Sequence, residues 1–223
     1  MSIEIIPILC NEKNMANYSY IIKPQNSNKV IIIDAAETNP IISVLTKLNL
    51  TPVYILSTHH HFDHVEGNLD LKEKYNLKII APIDEFEKVP GADIKAEDNK
   101  TITLENIEIT PISAKGHTNG HMMYYIKSEN ALFTGDVLFN LCIGGLFEGT
   151  IYEMKTTLKK IKTLPNNTNI FPGHEYTRAS IDISLLNKPN FDTYLKKMYQ
   201  REEGKLSPAT LEEEKRYNPY LKG

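Results

Sequence analysis

The chain has 223 residues, of which 41% are hydrophobic and 24% charged, and a formal net charge of −3 at pH 7. That length supports one sizeable core, or a core with a small appendage. The slight negative charge gives no electrostatic basis for binding nucleic acid or an anionic membrane, and no apolar run approaches the ~20 residues that span a bilayer.

The first segment, Met1 to Leu9, alternates like a strand. It lacks the basic start and long apolar run of a secretory leader, so the expected setting is the cytoplasm. Cys10 follows, and with Cys142 it makes a total of two cysteines. Two can form at most one disulfide and cannot build a thiolate-rich metal site. Lys29 to Asp34 reads as an apolar strand ending in a carboxylate. Asn39-Pro40 opens a helix with Ile41, Ile42, Val44, Leu45 and Leu48 at helical spacing, proline being tolerated in a first turn. Val53 to Ser57 is the next strand. Thr101 to Thr110 reads as two short strands around a turn at Glu105-Asn106, and Met122 to Lys127 and Ala131 to Thr134 as two more.

From residue 150 the pattern turns helical. Thr150 and Glu153 form a capping box, each side chain satisfying a free backbone donor, and Ile151, Met154, Leu158, Ile161 and Leu164 make the buried stripe. A last strand, Asn169 to Phe171, leads to Pro172-Gly173-His174. Beyond it the sequence reads as wholly helical, with breaks near Lys188-Pro189 and Ser207-Pro208. The expected organisation is a catalytic body over 1–172 and a helical region over 173–223 that completes the site and the substrate cleft. No internal repeat or low-complexity linker interrupts it.

The chemistry concentrates in the run Thr58-His59-His60-His61-Phe62-Asp63-His64, joined by His117, Asp136 and His174. The chain has seven histidines, and four of them fall in this one run. Histidine and carboxylate in such a group are the ligand types that a divalent metal needs. Each candidate follows a strand-like run, which places them along one rim of a sheet. Glycine stands immediately before three of them, as Gly116, Gly135 and Gly173, and permits tight turns. In an extended segment residues two apart share a side, so His59, His61 and Asp63 group together and His60 faces away. A turn after Phe62 brings His64 beside Asp63. The expectation is two metal positions, His59, His61 and His117 at one and Asp63, His64 and His174 at the other. The two oxygens of Asp136 make it the natural bridge. Three protein ligands per ion leave room for water, the mark of a catalytic site.

This ligand pattern resembles the metallo-β-lactamase superfamily, and within it the glyoxalase II family of hydroxyacylglutathione hydrolases. The closer resemblance is carried by Gly116-His117-Thr118 with Gly120-His121, by Phe133-Thr134-Gly135-Asp136, by Phe147 to Thr150, by Gly173 to Thr177, and by Tyr217-Asn218-Pro219-Tyr220 in the tail. It covers nearly the whole chain. It implies an α+β fold, a four-layer αββα sandwich with a C-terminal helical annex. It implies a centre of two divalent ions, zinc first, with iron or manganese as alternatives. The implied activity is hydrolysis of S-(2-hydroxyacyl)glutathione, such as S-D-lactoylglutathione, by a metal-bridging hydroxide, with Asp63 both ligand and the hydrogen-bond acceptor that orients the hydroxide. Gly145, Phe147 and Tyr176 fall at substrate-binding positions. Asp34 and His121 are expected behind the ligands, fixing histidine tautomers.

Two departures bear on the thiol. Gly145 stands where the family usually carries a basic residue facing the glutathione carboxylates, and Phe147 where tyrosine is common. The basic residues that some members carry past the Asn-Pro stretch are reduced here to Lys222. A persulfide dioxygenase of the same fold, or a hydrolase for a non-glutathione thioester, is therefore the alternative. A β-lactamase is disfavoured because Asp63 stands where many such enzymes use cysteine, a nuclease by charge, and a non-catalytic scaffold by the complete ligand set. The expected partner is a small-molecule thioester, with no nucleic acid or membrane, and the oligomeric state is not readable.

Overall fold

The computed structural model describes residues 2–181, 192–200 and 208–222. The first sheet runs in the order β1 (Ile3–Cys10), β2 (Asn17–Pro24), β3 (Lys29–Ile33), β4 (Thr51–Leu56), β5 (Lys78–Pro82) and β6 (Ile94–Ala96). Its first three strands pair antiparallel, and β3 to β6 pair parallel. The second sheet contains β7 (Ile102–Leu104), β8 (Ile107–Ser113), β9 (Met122–Ile126), β10 (Ala131–Gly135) and β13 (Asn169–Pro172), in the order β13-β10-β9-β8-β7. A short hairpin, β11 (Leu138–Phe139) and β12 (Cys142–Ile143), projects between β10 and the later chain.

Side-chain alternation along β3 explains the layering. Ile31 and Ile33 point into the space between the sheets, where they meet Tyr20, Leu56, Ile109, Tyr124, Phe133 and Phe171. Val30 and Ile32 point the other way. They pack with Ile41 and Leu45 of α1 (Thr38–Leu48) and Leu71 of α3 (Asn68–Tyr75). Both faces of this strand are buried, so it reads as continuously apolar rather than alternating. On the far side of the second sheet, Met123, Tyr125, Leu132 and Ile170 pack against Met154, Leu158 and Ile161 of α4 (Ile151–Lys162). The result is the expected αββα sandwich.

The turn at Glu105-Asn106 has both residues at positive φ, 45° and 64°, as a two-residue hairpin requires. The capping box of α4 is present, Thr150 accepting from the Glu153 backbone and Glu153 from that of Thr150. Ile151 departs from the expected stripe, being 52% exposed on the outer face. The tail also departs from expectation. Residues 175–181 form turns and a bend rather than helix, because Glu175 N donates to Ala16 O at 2.9 Å and ties this stretch to the N-terminal segment. The described helices of the tail are α5 (Thr193–Gln200) and α6 (Leu211–Tyr217), the latter with its own capping box, Thr210 with Glu213. Lys188-Pro189 and Ser207 lie outside the described residues. Before α6 the chain runs beside β13, Ile170 N donating to Ala209 O at 2.9 Å and Leu211 N to Thr168 O at 2.8 Å. No helix among the described residues is long and apolar enough to cross a membrane.

Candidate metal centre

All seven ligand candidates converge at one rim of the sandwich. His59 and His61 stand in the loop after β4, and Asp63 and His64 lie on the one-turn helix α2 (Phe62–Val65). His117 follows β8, Asp136 follows β10 and His174 follows β13. Gly116 and Gly135 have φ of 144° and 48°. A Cβ at Gly135 would fall 2.6 Å from His121 Nε2, so both dihedral and space demand glycine there. Gly173 has no such dihedral. Its constraint is close approach, because a Cβ would run into Asp136 Oδ1.

Among these seven, two groups that share no residue have their ligand atoms within 4.8 Å of one another, His59, His61 and His117, and Asp63, His64 and His174, and a third, His59, His64 and Asp136, links them. In the first, His61 Nδ1 is 3.0 Å from His117 Nε2. In the second, His174 Nε2 is 3.4 Å from Asp63 Oδ2 and 3.3 Å from His64 Nε2. Asp136 lies between them. Its Oδ1 is 3.2 Å from His64 Nε2, and its Oδ2 is 3.2 Å from His174 Nε2 and 3.5 Å from His117 Nε2.

The far nitrogens of most of the histidines are anchored, which fixes the nitrogens that point inward. His64 Nδ1 donates to Asp34 Oδ2 at 2.9 Å, and Asp34 also accepts from Thr58 N at 2.7 Å and Thr58 Oγ1 at 2.8 Å. His174 Nδ1 donates to Met15 O at 2.7 Å and His117 Nδ1 to Gly145 O at 2.8 Å. His59 Nδ1 lies 3.0 Å from Thr58 Oγ1. His59 Nε2 is buried with no hydrogen-bond partner. A buried, unpartnered imidazole nitrogen aimed into a nest of histidines and carboxylates is the opening that a cation fills, so the donor set fits a pair of divalent ions. His121 stacks on His59 at 4.8 Å and accepts from Asp136 N at 3.1 Å, which holds the bridge position from behind.

Electrostatics separates the two groups. Burial pushes His59, His61 and His117 below the usual imidazole range, and it does the same to His121. Burial also works against charge on His64 and His174, but the facing carboxylates outweigh it. His64 is held well above the usual range, chiefly by Asp136 and Asp34, and His174 is raised to about 9 by Asp136 and Asp63. Despite burial, Asp63 and Asp136 are held well below the carboxylate range by His174 and His64.

The centre opens into a cleft of about 410 Å³ whose walls include Met15, Phe62, Phe139, Phe147 and Tyr176. The Tyr176 ring stacks on His174 at 4.8 Å, and Phe147, 73% exposed, meets His117 edge-on at 5.1 Å. Gly145 lines the cleft without a side chain and contributes the carbonyl that orients His117. Phe139 stands on the hairpin. The hairpin is held from the tail by the buried Glu214, which accepts from Leu141 N at 3.1 Å and Asn218 Nδ2 at 2.8 Å.

His60 faces away, as its alternation implied, with Nδ1 2.8 Å from Glu85 Oε2. Sequence reasoning missed Asn17, Met15, Glu85 and Phe139. Asn17 is fully buried and donates to Asp63, yet it stands at the end of a polar run with no metal-type spacing to mark it.

The sequence profile of the Metallo-beta-lactamase superfamily matches residues 14–174. The hydroxyacylglutathione hydrolase of Pelagibacter ubique is 37% identical over 227 residues, covering 100% of this chain and 93% of that protein. The protein of the same name from Mesorhizobium japonicum is 37% identical over 228 residues, covering 100% and 88%. Among solved structures, the BLEG-1 B3 metallo-beta-lactamase superposes with a TM-score of 0.78 at 22% identity, over 99% of this chain and 100% of that one. TTHA1623 in a di-iron-bound form gives 0.69 at 21% identity, over 97% and 100%.

Proposed function

Because the chain belongs to the metallo-β-lactamase superfamily and, within it, to the hydroxyacylglutathione hydrolases, we propose that it hydrolyses S-(2-hydroxyacyl)glutathione to glutathione and a 2-hydroxy acid at the rim described above. The observation that carries this reading is the pair of donor groups on either side of Asp136, buried except for the half-buried His61, at the floor of an apolar cleft. His59, His61 and His117 would hold one divalent ion and Asp63, His64 and His174 the other, with Asp136 placed where both could reach it. Zinc is the first choice, because imidazole and carboxylate together suit it, with iron or manganese as alternatives. Such a pair of ions supplies Lewis acidity toward the thioester carbonyl and a water acidified toward neutrality.

The remaining work belongs to the chain. Asp34 keeps the His64 proton on Nδ1, so that Nε2 faces inward. Asp63 stays ionised and accepts a hydrogen bond from the attacking water, which fixes its line of approach. Phe139, Phe147 and Tyr176 shelter the acyl carbon from bulk solvent and stack along the thioester, and Gly145 leaves room for the thiol portion. Residues 1–172 form the catalytic body, and 173–223 complete the site through His174 and Tyr176. The reaction is assigned to the cytoplasm.

The test is thiol release by zinc-loaded protein from S-D-lactoylglutathione, beside simple thioesters that lack the glutathione carboxylates. The expected result is a clear preference for the glutathione thioester, with kcat/KM of about 10⁴ M⁻¹s⁻¹ or more. Equal turnover of all the thioesters would discard glutathione as the cognate thiol. No turnover would discard the hydrolase.

A further inference from the structure

Asn17 opens β2 with no solvent exposure. Its amide nitrogen donates to Asp63 Oδ2 at 2.9 Å and to the Asp63 carbonyl at 3.0 Å. The same nitrogen lies 3.5 Å from His64 Nε2 and 3.5 Å from His174 Nε2. Its own oxygen accepts from Asn11 Nδ2 at 3.3 Å, which orients the amide so that its N–H groups, not its oxygen, face the carboxylate. The backbone around it is fixed as well. Tyr18 N donates to Gly173 O at 2.8 Å, Asn17 bridges His174, and Ala16 takes a left-handed φ of 50°. A side chain so placed has little freedom to turn away.

We infer that Asn17 is a positioning residue for the Asp63–His64–His174 group, holding the Asp63 carboxylate in the rotamer that faces the metal. The inference rests on the two-metal reading given above. Asp63 sits on a single helical turn, too short to fix a side chain by itself. Carboxylate oxygens carry several lone pairs and turn readily about the terminal torsion. A double contact from one rigid amide, to carbonyl and carboxylate of the same residue, removes that freedom. The first group receives nothing comparable: the Asn17 amide nitrogen reaches Asp63, His64 and His174, not His59, His61 or His117. Loss of the amide therefore acts on one metal position and spares the other. Partners behind ligands typically account for about 10–100-fold in metal affinity or activity.

The experiment compares wild type, Asn17→Ala and Asn17→Leu as full chains, the leucine filling the volume of the lost amide without its donors. Each is loaded with zinc, then challenged with a graded chelator while retained zinc equivalents are counted. Kinetics on S-D-lactoylglutathione are recorded with and without excess zinc, and folding is followed by circular dichroism. The expected result is that both variants fold and hold one equivalent as wild type does. They hold the second about 10–100-fold more weakly, and excess zinc restores kcat with KM unchanged within about twofold. Retention of both equivalents at wild-type strength, equal weakening of both, or failure of both variants to fold would overturn the inference. Wild type that holds two equivalents but cleaves no thioester would sink the function reading, and the zinc counts would still decide the role of Asn17.

Discussion

Asp136 stands between histidines in opposite protonation states. Burial keeps His59 and His117 neutral at pH 7, while His64 and His174 are held charged by Asp136, Asp34 and Asp63. In metal-free protein the second group is thus an internal ion cluster, two imidazoliums against the carboxylates. The folded-state values of His64 and His174 lie above the unfolded one. Their contribution to stability is complete below the ordinary imidazole value and is lost as pH rises, through about 9 for His174. Asp63 and Asp136 are depressed, so theirs is present above the ordinary carboxylate value and lost as pH falls. Only a bare imidazole nitrogen can ligate. Zinc uptake at pH 7.5 should therefore release about two protons from His64 and His174, none from the first group, and up to about one more from the bound water. Calorimetry in buffers of different ionisation enthalpy reads this directly, and a proton count near zero would contradict it.

At the scale of elements, the ligand-bearing strand ends were legible because each combines an apolar run with a following glycine or histidine. The run before His59 is buried on both faces, so its apolarity reflects its place in the sandwich. The cap of α4 was legible for a local reason, since Thr150 and Glu153 satisfy each other within one turn. Thr150→Ala removes a cap worth about 1 kcal/mol, which for a domain of this size should lower Tm by roughly 2–4 °C. Thermal scans would check it, with thioester turnover expected at the wild-type level. The segment after His174 was misread for the opposite reason. Its helix-compatible composition is overridden by pairing of Glu175 with Ala16, some 160 residues away in sequence, and no local pattern reports such a partner. Asn17 escaped notice on the same ground: its meaning lies in Asp63, which reaches it only through the fold.

For the molecule as a whole, the centre is a junction between the two sheets. His59, His61, Asp63 and His64 come from the first sheet, and His117, Asp136 and His174 from the second. Ions bound there tie the sheets together across the rim, so removing them should cost stability as well as activity. With free metal at ~1,000 times its Kd, linkage gives about 4 kcal/mol for each ion, on the order of 8–16 °C in Tm per ion. Scans with and without a strong chelator would measure the difference, and coincident curves would mean that the sheets hold together unaided. The sequence disclosed the candidate ligands on both sides of this junction. It did not disclose that the N-terminal strand pair, through Met15 and Asn17, helps to lock them.

The stretch that runs beside β13 has a consequence outside catalysis. β13 is an outer strand of the second sheet, and Ala209 and Leu211 occupy backbone groups along it that would otherwise be exposed. Uncovered strand edges recruit strands from other molecules. A chain cut before residue 208 should therefore keep its inter-sheet core yet become sticky, forming soluble assemblies and then precipitate as concentration rises. Light scattering would register this, and a cut chain that stays monodisperse would show that the edge is shielded by other means. In this view the last stretch of the sequence guards colloidal behaviour as well as shaping the cleft.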